Sequence, residues 1–214
     1  MTDKATRLKQ RYAPMTKAQL KSVIVDYAAR FPDWELVHDG MAFVRGAGPI
    51  RQMIWFQKMS SAAYRPTSVI NTSALPMPRM LSRIMDVKHR EIEYRFHEQK
   101  FANTLAAMEQ QFQPDIRKPL DIAEVLALCE AEAGTMPDAT NNMTMLAILS
   151  AWLDRKAEAL DYCERMQHCP LPTLAPMLEW EITMRAFGRA LAGAIVTGRG
   201  KAFLEEAITQ QSAA

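Results

Sequence analysis

The pair Asp39-Gly40 stands between two β-prone runs, WELVH at 34–38 and MAFVR at 41–45. An Asp-Gly pair so flanked is the strongest short hairpin signal a sequence carries, because both turn positions need a positive φ. Two antiparallel strands are therefore expected here, and the chain must build a sheet around them. Gly46 to Pro49 supplies a second turn, and a strand from Ile50 to about Gln57 follows. Ile50, Ile54 and Phe56 alternate with Met53 and Trp55, so both faces are apolar, as in a central strand covered on two sides. Tyr64 to Pro66 then leads into a fourth strand, TSVINTS at 67–73.

Helical periods surround this sheet. Thr16 with Gln19 forms a capping box before Leu20, Val23, Ile24, Tyr27 and Phe31, an apolar stripe that Pro32 ends. After the break at Leu75–Pro78 a short helix is expected over Arg79–Met85. EIEYRF at 91–96 alternates and reads as a fifth, edge strand; one helix from 79 to 112 is the competing reading. Phe101, Leu105, Met108 and Phe112 make a helical stripe. Asp121 and Glu124 cap a helix that Gly134 closes. Residues 143–167 read as two antiparallel helices turning near Asp154–Lys156. Met177, Trp180, Met184, Phe187, Leu191 and Ile195 stripe a long helix, and a short one runs over 201–209. The fold class expected is α+β: a small, mainly antiparallel sheet with flanking helices over 14–113, then a helical part over 119–209. The link between them is short enough for the two parts to share one core.

A chain of 214 residues with 49% hydrophobic and 23% charged residues buries a full core without staples. A net charge of +2 gives no strong pull toward nucleic acid or an anionic membrane. Lys4, Arg7, Lys9, Arg11, Lys17 and Lys21 make the start locally basic, which reads as a solvated arm. Cys129, Cys163 and Cys169 are an odd set without metal-ligand spacing, so idle thiols in a reducing compartment are expected. No apolar run reaches the length of a membrane span, and the start lacks the apolar stretch of a signal peptide. The expectation is a cytoplasmic protein without cofactor. The 15 methionines fall mostly on helical stripes and read as core.

Reactive constellations are scarce. GAGP at 46–49 lacks the helix and lysine of a phosphate loop, and no G-x-S-x-G elbow occurs. The sharpest catalytic candidate is His89, Glu93 and His97, an imidazole–carboxylate group suited to acid–base or metal-assisted hydrolysis. The plainer reading of that stretch is a charged edge strand that discourages edge-to-edge pairing. A second cluster is Arg45, Trp55, Gln57, Lys58, Tyr64 and Arg65, with Arg79 and Arg83 nearby. These sit at strand ends and in a loop, where a rigid scaffold displays contact residues. Basic and aromatic together, they suit another protein or, less well, RNA.

Two resemblances rest on these residues. Phe43-Val44-Arg45, then Ile54-Trp55-Phe56-Gln57-Lys58, then Val69-Ile70-Asn71 resemble a bacterial domain-of-unknown-function family numbered four-three-zero-four, over about residues 20–130. That resemblance implies an accessory or immunity-type protein of the kind encoded beside bacterial toxins. Leu149, Trp152, Ala159 and Leu160 make the hairpin at 143–167 resemble a single tetratricopeptide unit; one unit alone builds no solenoid. The function expected is non-catalytic protein binding, as an immunity or adaptor protein. The alternatives are a small metal- or histidine-dependent hydrolase or nuclease, and an RNA-binding accessory protein.

Overall fold

Thr16 sets the first helix. Its hydroxyl accepts from the Gln19 amide at 3.1 Å, and the Gln19 side chain takes the Thr16 amide at 2.8 Å. This reciprocal box starts α1 (Lys17–Ala28), whose buried residues Leu20, Val23, Ile24 and Tyr27 recur at helical spacing. A computed structural model describes residues 14–59, 62–75, 81–86, 90–134, 139–170 and 175–213.

Among the described residues six strands form one sheet: β1 (Glu35–Val37), β2 (Ala42–Ala47), β3 (Ile50–Lys58), β4 (Ala63–Thr72), β5 (Leu81–Ile84) and β6 (Ile92–Glu93). The order is β1-β2-β3-β4-β5, with β6 paired to β4. The Asp-Gly hairpin forms as its sequence dictates. β1 and β2 run antiparallel with Leu36 opposite Phe43, and His38, Asp39 and Gly40 all take positive φ between them. Helices α2 (His97–Gln111), α3 (Ile122–Ala133), α4 (Thr140–Trp152), α5 (Lys156–His168), α6 (Ala175–Val196) and α7 (Gly200–Ala213) follow. The α+β class is as the sequence indicates.

Two local expectations are corrected. Residues 81–84 are a strand, not part of a short helix. A helix this short closes too few bonds to offset its nucleation cost, whereas beside β4 the segment joins an existing ladder. EIEYRF is a strand only at Ile92–Glu93, antiparallel to β4 with Tyr64 opposite Ile92. The Tyr94 amide makes one further bond to the Ala62 carbonyl at 2.8 Å. Tyr94–Phe96 then tighten into a 3₁₀ turn that delivers the chain into α2, so no single helix runs from 79 to 112.

The chain divides into two units, and the division is not one cut. Met1–Arg45, Gln52–Val69 and Ser82–Pro119 form the first; Gly46–Arg51, Ile70–Leu81 and Leu120–Ala214 form the second. The first unit has an aromatic core. Tyr27 stacks on Phe56 at 5.1 Å and lies 4.7 Å from Phe101, while Phe31, Trp34 and Phe43 close a second ring cluster.

The second unit is centred on α4, which is buried along almost its whole length and touches α3, α5, α6 and α7. A helix apolar on every side has to be covered on every side. The tip of the β2–β3 turn belongs to this unit. There the Pro49 carbonyl accepts from Ser73 N and Thr72 Oγ1, and Gly48 takes φ +51 against the Trp152 ring. Between α5 and α6, Arg185 pairs with the buried Glu181 at 3.0 Å. It also donates to the Gln167 carbonyl at 2.8 Å, satisfying a helix end that would otherwise be orphaned.

Candidate functional site

β3 sorts the first unit's polar residues onto two faces. Alternate strand residues point opposite ways, and the burial of Gln52, Ile54 and Phe56 identifies the core side. Met53, Trp55 and Gln57 therefore face outward, the first two half-buried and the third exposed. Phe43 shares the core with Phe56, which sends Val44 outward with Trp55. The ring of His38, from the hairpin turn, meets Trp55 edge-on at 5.5 Å. Lys58 ends the strand, exposed. Arg65 follows inward Tyr64 on β4 and so faces out; its Nη2 donates to Glu91 at 2.5 Å, and only 17% of the side chain is accessible. Val44, Met53, Trp55 and Gln57 thus share the outward side, with the exposed Lys58 at the strand's end, whereas the β4 residues of that side, Ala63, Thr67 and Val69, are buried.

Two members of the expected contact cluster point inward instead. Arg45 donates Nε and Nη2 to Gln52 Oε1 at 2.9 and 2.6 Å and Nη2 to the Asp115 carbonyl at 2.7 Å. It also reaches the Lys118 carbonyl and lies 4.7 Å over the Trp34 ring. Its guanidinium is a structural fork that ties the segment after α2 to the sheet, a use that suits its fixed planar donors. Tyr64 is fully buried. Its position before Arg65 reads as a strand margin, but a β-strand inverts sides at every residue, so one residue separates surface from core.

Tyr64 belongs to a hydrogen-bonded relay. Its hydroxyl lies 2.8 Å from His97 Nδ1 and 3.1 Å from the Tyr27 hydroxyl, and His97 Nε2 lies 3.0 Å from Asp26 Oδ2. The Asp26 carboxylate only accepts, so His97 Nε2 donates. In the neutral imidazole Nδ1 then accepts from Tyr64, whose oxygen accepts from Tyr27. Burial pushes the Tyr27 hydroxyl up to about 12 and the Tyr64 hydroxyl far above its ordinary range, so both keep their protons. The relay runs inward from a cleft of about 630 Å³ lined by Asp26, Ala29, Arg30, His97, Glu98 and Phe101.

Of the expected cluster of His89, Glu93 and His97, only Glu93 and His97 lie among the described residues. His89 lies outside the described residues, as does Arg79. Glu93 pairs with Arg95 at 2.8 Å, and both nitrogens of the buried His97 are engaged, with Asp26 and not Glu93 as its carboxylate. Among the described residues no group of three or more His, Cys, Asp and Glu side chains is placed to hold a metal. The three cysteines are buried free thiols, and no helix among the described residues is long and apolar enough to cross a membrane.

Asp26, Tyr27, Arg30 and Gln52 are the residues that sequence reasoning left without a role. Tyr27 appeared only as part of an apolar stripe, and its relay partners lie 37 and more residues away, so no spacing could flag them. No protein-family model, curated protein or solved structure matches the chain.

Proposed function

We propose that the protein acts by binding another protein, without chemistry of its own, through the outward side of β2 and β3 in its first unit. The observation that carries this reading is the half-buried Trp55, on the same side of β3 as Met53 and Gln57, with the exposed Lys58 ending the strand. Tryptophan dominates binding energy at interfaces when apolar neighbours shield it from water. Rim cations set rate and partner choice more than affinity. The partner this surface fits presents an apolar projection with carboxylates around it. The resemblance of the β2–β4 motifs to an accessory family of toxin-encoding loci narrows the proposal to a bacterial immunity or adaptor protein, working in the cytoplasm by occluding a partner's surface.

The test is capture from a lysate of the source organism, with and without nuclease, using wild type, Trp55→Ala and Lys58→Glu. The reading expects one stoichiometric, nuclease-resistant protein on the wild type. Trp55→Ala should weaken its retention by about 2 kcal/mol or more, with a single cooperative unfolding transition showing that it is folded, while Lys58→Glu keeps the wild-type unfolding free energy within about 0.5 kcal/mol. Equal capture by all three proteins, or nuclease-sensitive material only, would remove the face from consideration.

A further inference from the structure

Asp26 and Arg30 lie four residues apart on α1, the spacing at which a carboxylate and a guanidinium normally pair along a helix. They do not pair. Asp26 Oδ2 is taken by His97 Nε2 at 3.0 Å, and the Arg30 guanidinium lies over the Phe101 ring, 5.7 Å from its centroid. Glu98, across on α2, makes no ion pair with any described residue. All three charged groups line the same cleft. Two carboxylates and one guanidinium are thus held apart around one concavity, although the helix offers them an easy way to neutralise one another. His97 fixes the Asp26 carboxylate through Oδ2, and is itself held from behind by the buried Tyr64 hydroxyl. Half of the Asp26 side chain is accessible, 53%, so its other oxygen is open to a ligand.

We propose that this cleft binds a small zwitterion carrying both an ammonium and a carboxylate, the chemistry of an amino acid or a short free peptide. The ammonium lies between Asp26 and Glu98 and donates to their oxygens. The carboxylate lies on Arg30, whose planar fork suits it. Phe101 and Ala29 supply the apolar wall for the remainder. The cleft's volume falls in the range of small-molecule sites, roughly 300–1,000 Å³, and favours a ligand larger than the smallest amino acids. His97 is a positioning residue, not a ligand contact. The cleft shares no residue with the outward sheet face, so it stands independently of the protein-binding reading.

Isothermal titration of the full chain tests it, with the free amino acids, a set of dipeptides, butylamine and butyrate as probes. One arm repeats the best dipeptide with its ends acetylated and amidated, which separates a free zwitterion from a segment within a longer chain. Asp26→Asn and Arg30→Gln are the variants; asparagine keeps the acceptor that holds His97, and both are checked for an unchanged melting transition. At least one free zwitterion is expected to bind with Kd of about 1 mM or tighter, neither singly charged probe should match it, and each variant should weaken binding at least ~tenfold. Absence of heat with every zwitterion, equal binding of the blocked peptide, or binding unchanged in both variants would overturn the proposal.

Discussion

Tyr64 concentrates the behaviour of the first unit in one hydroxyl, which touches His97 on one side and Tyr27 on the other. Tyr64→Phe keeps the ring but leaves the buried Nδ1 of His97 without its donor. The expected loss is about 1–3 kcal/mol, the cost of an unsatisfied buried polar group, read as a lower denaturant midpoint at unchanged slope. Lys58→Glu, on an exposed side chain, should leave that midpoint alone. Tyr27 makes a pH prediction whose sign is fixed. Its hydroxyl titrates near 10 when unfolded and at about 12 when folded. The folded state therefore favours the neutral phenol, and this stability is complete below pH 10 and is lost as pH rises from 10 toward 12. The contribution is on the order of 3 kcal/mol. Urea unfolding at pH 8 and pH 11 should show a smaller alkaline loss in Tyr27→Phe than in the wild type; equal losses would contradict the assignment. Individual roles of this kind were poorly legible in the sequence. Arg45 and Tyr64 look like surface contacts because both types are common at surfaces, and only the strand's phase, fixed by Phe43 and Phe56, turns them inward.

Secondary elements were legible wherever a local signal sufficed. The Thr16–Gln19 box, the Asp39-Gly40 turn and the Asp121 cap, which accepts from Ala123 N at 2.8 Å, depend on residues within four positions of one another. Residues 81–84 and 91–96 went differently because what fixes them is β4, a partner outside any local window. The β2–β3 turn shows the same dependence. A Cβ on Gly48 would stand 2.6 Å from two atoms of the Trp152 ring, and the backbone there takes φ +51. Gly48→Ala should cost about 2–4 kcal/mol, the sum of overpacking and a left-handed backbone. Gly40→Ala, at φ +74 with nothing within 4 Å, should cost only about 1–2 kcal/mol. Thermal denaturation of the pair measures the contribution of the Trp152 ring; equal losses would mean that the ring gives way.

The chain divides into two units whose segments alternate along the sequence, each with its own hydrophobic core. The composition already excluded strong attraction to polyanions, and the fold class followed from the order of sheet signals and helical stripes. What the sequence kept hidden is the pairing of distant residues: α1 with the start of α2 through Asp26 and His97, and β3 with the segment after α2 through Gln52 Nε2 and the Pro114 carbonyl at 3.0 Å. The first of these contacts lies in the wall of the cleft. The central claim is that Trp55 and its neighbours form a protein-binding face, and the most direct measurement is the affinity of the captured partner for wild type, Trp55→Ala and Arg30→Gln by titration. The account predicts that Trp55→Ala weakens the complex by about 2 kcal/mol or more while Arg30→Gln, on a different surface, leaves it unchanged. A Trp55→Ala protein that binds as tightly as the wild type would contradict it.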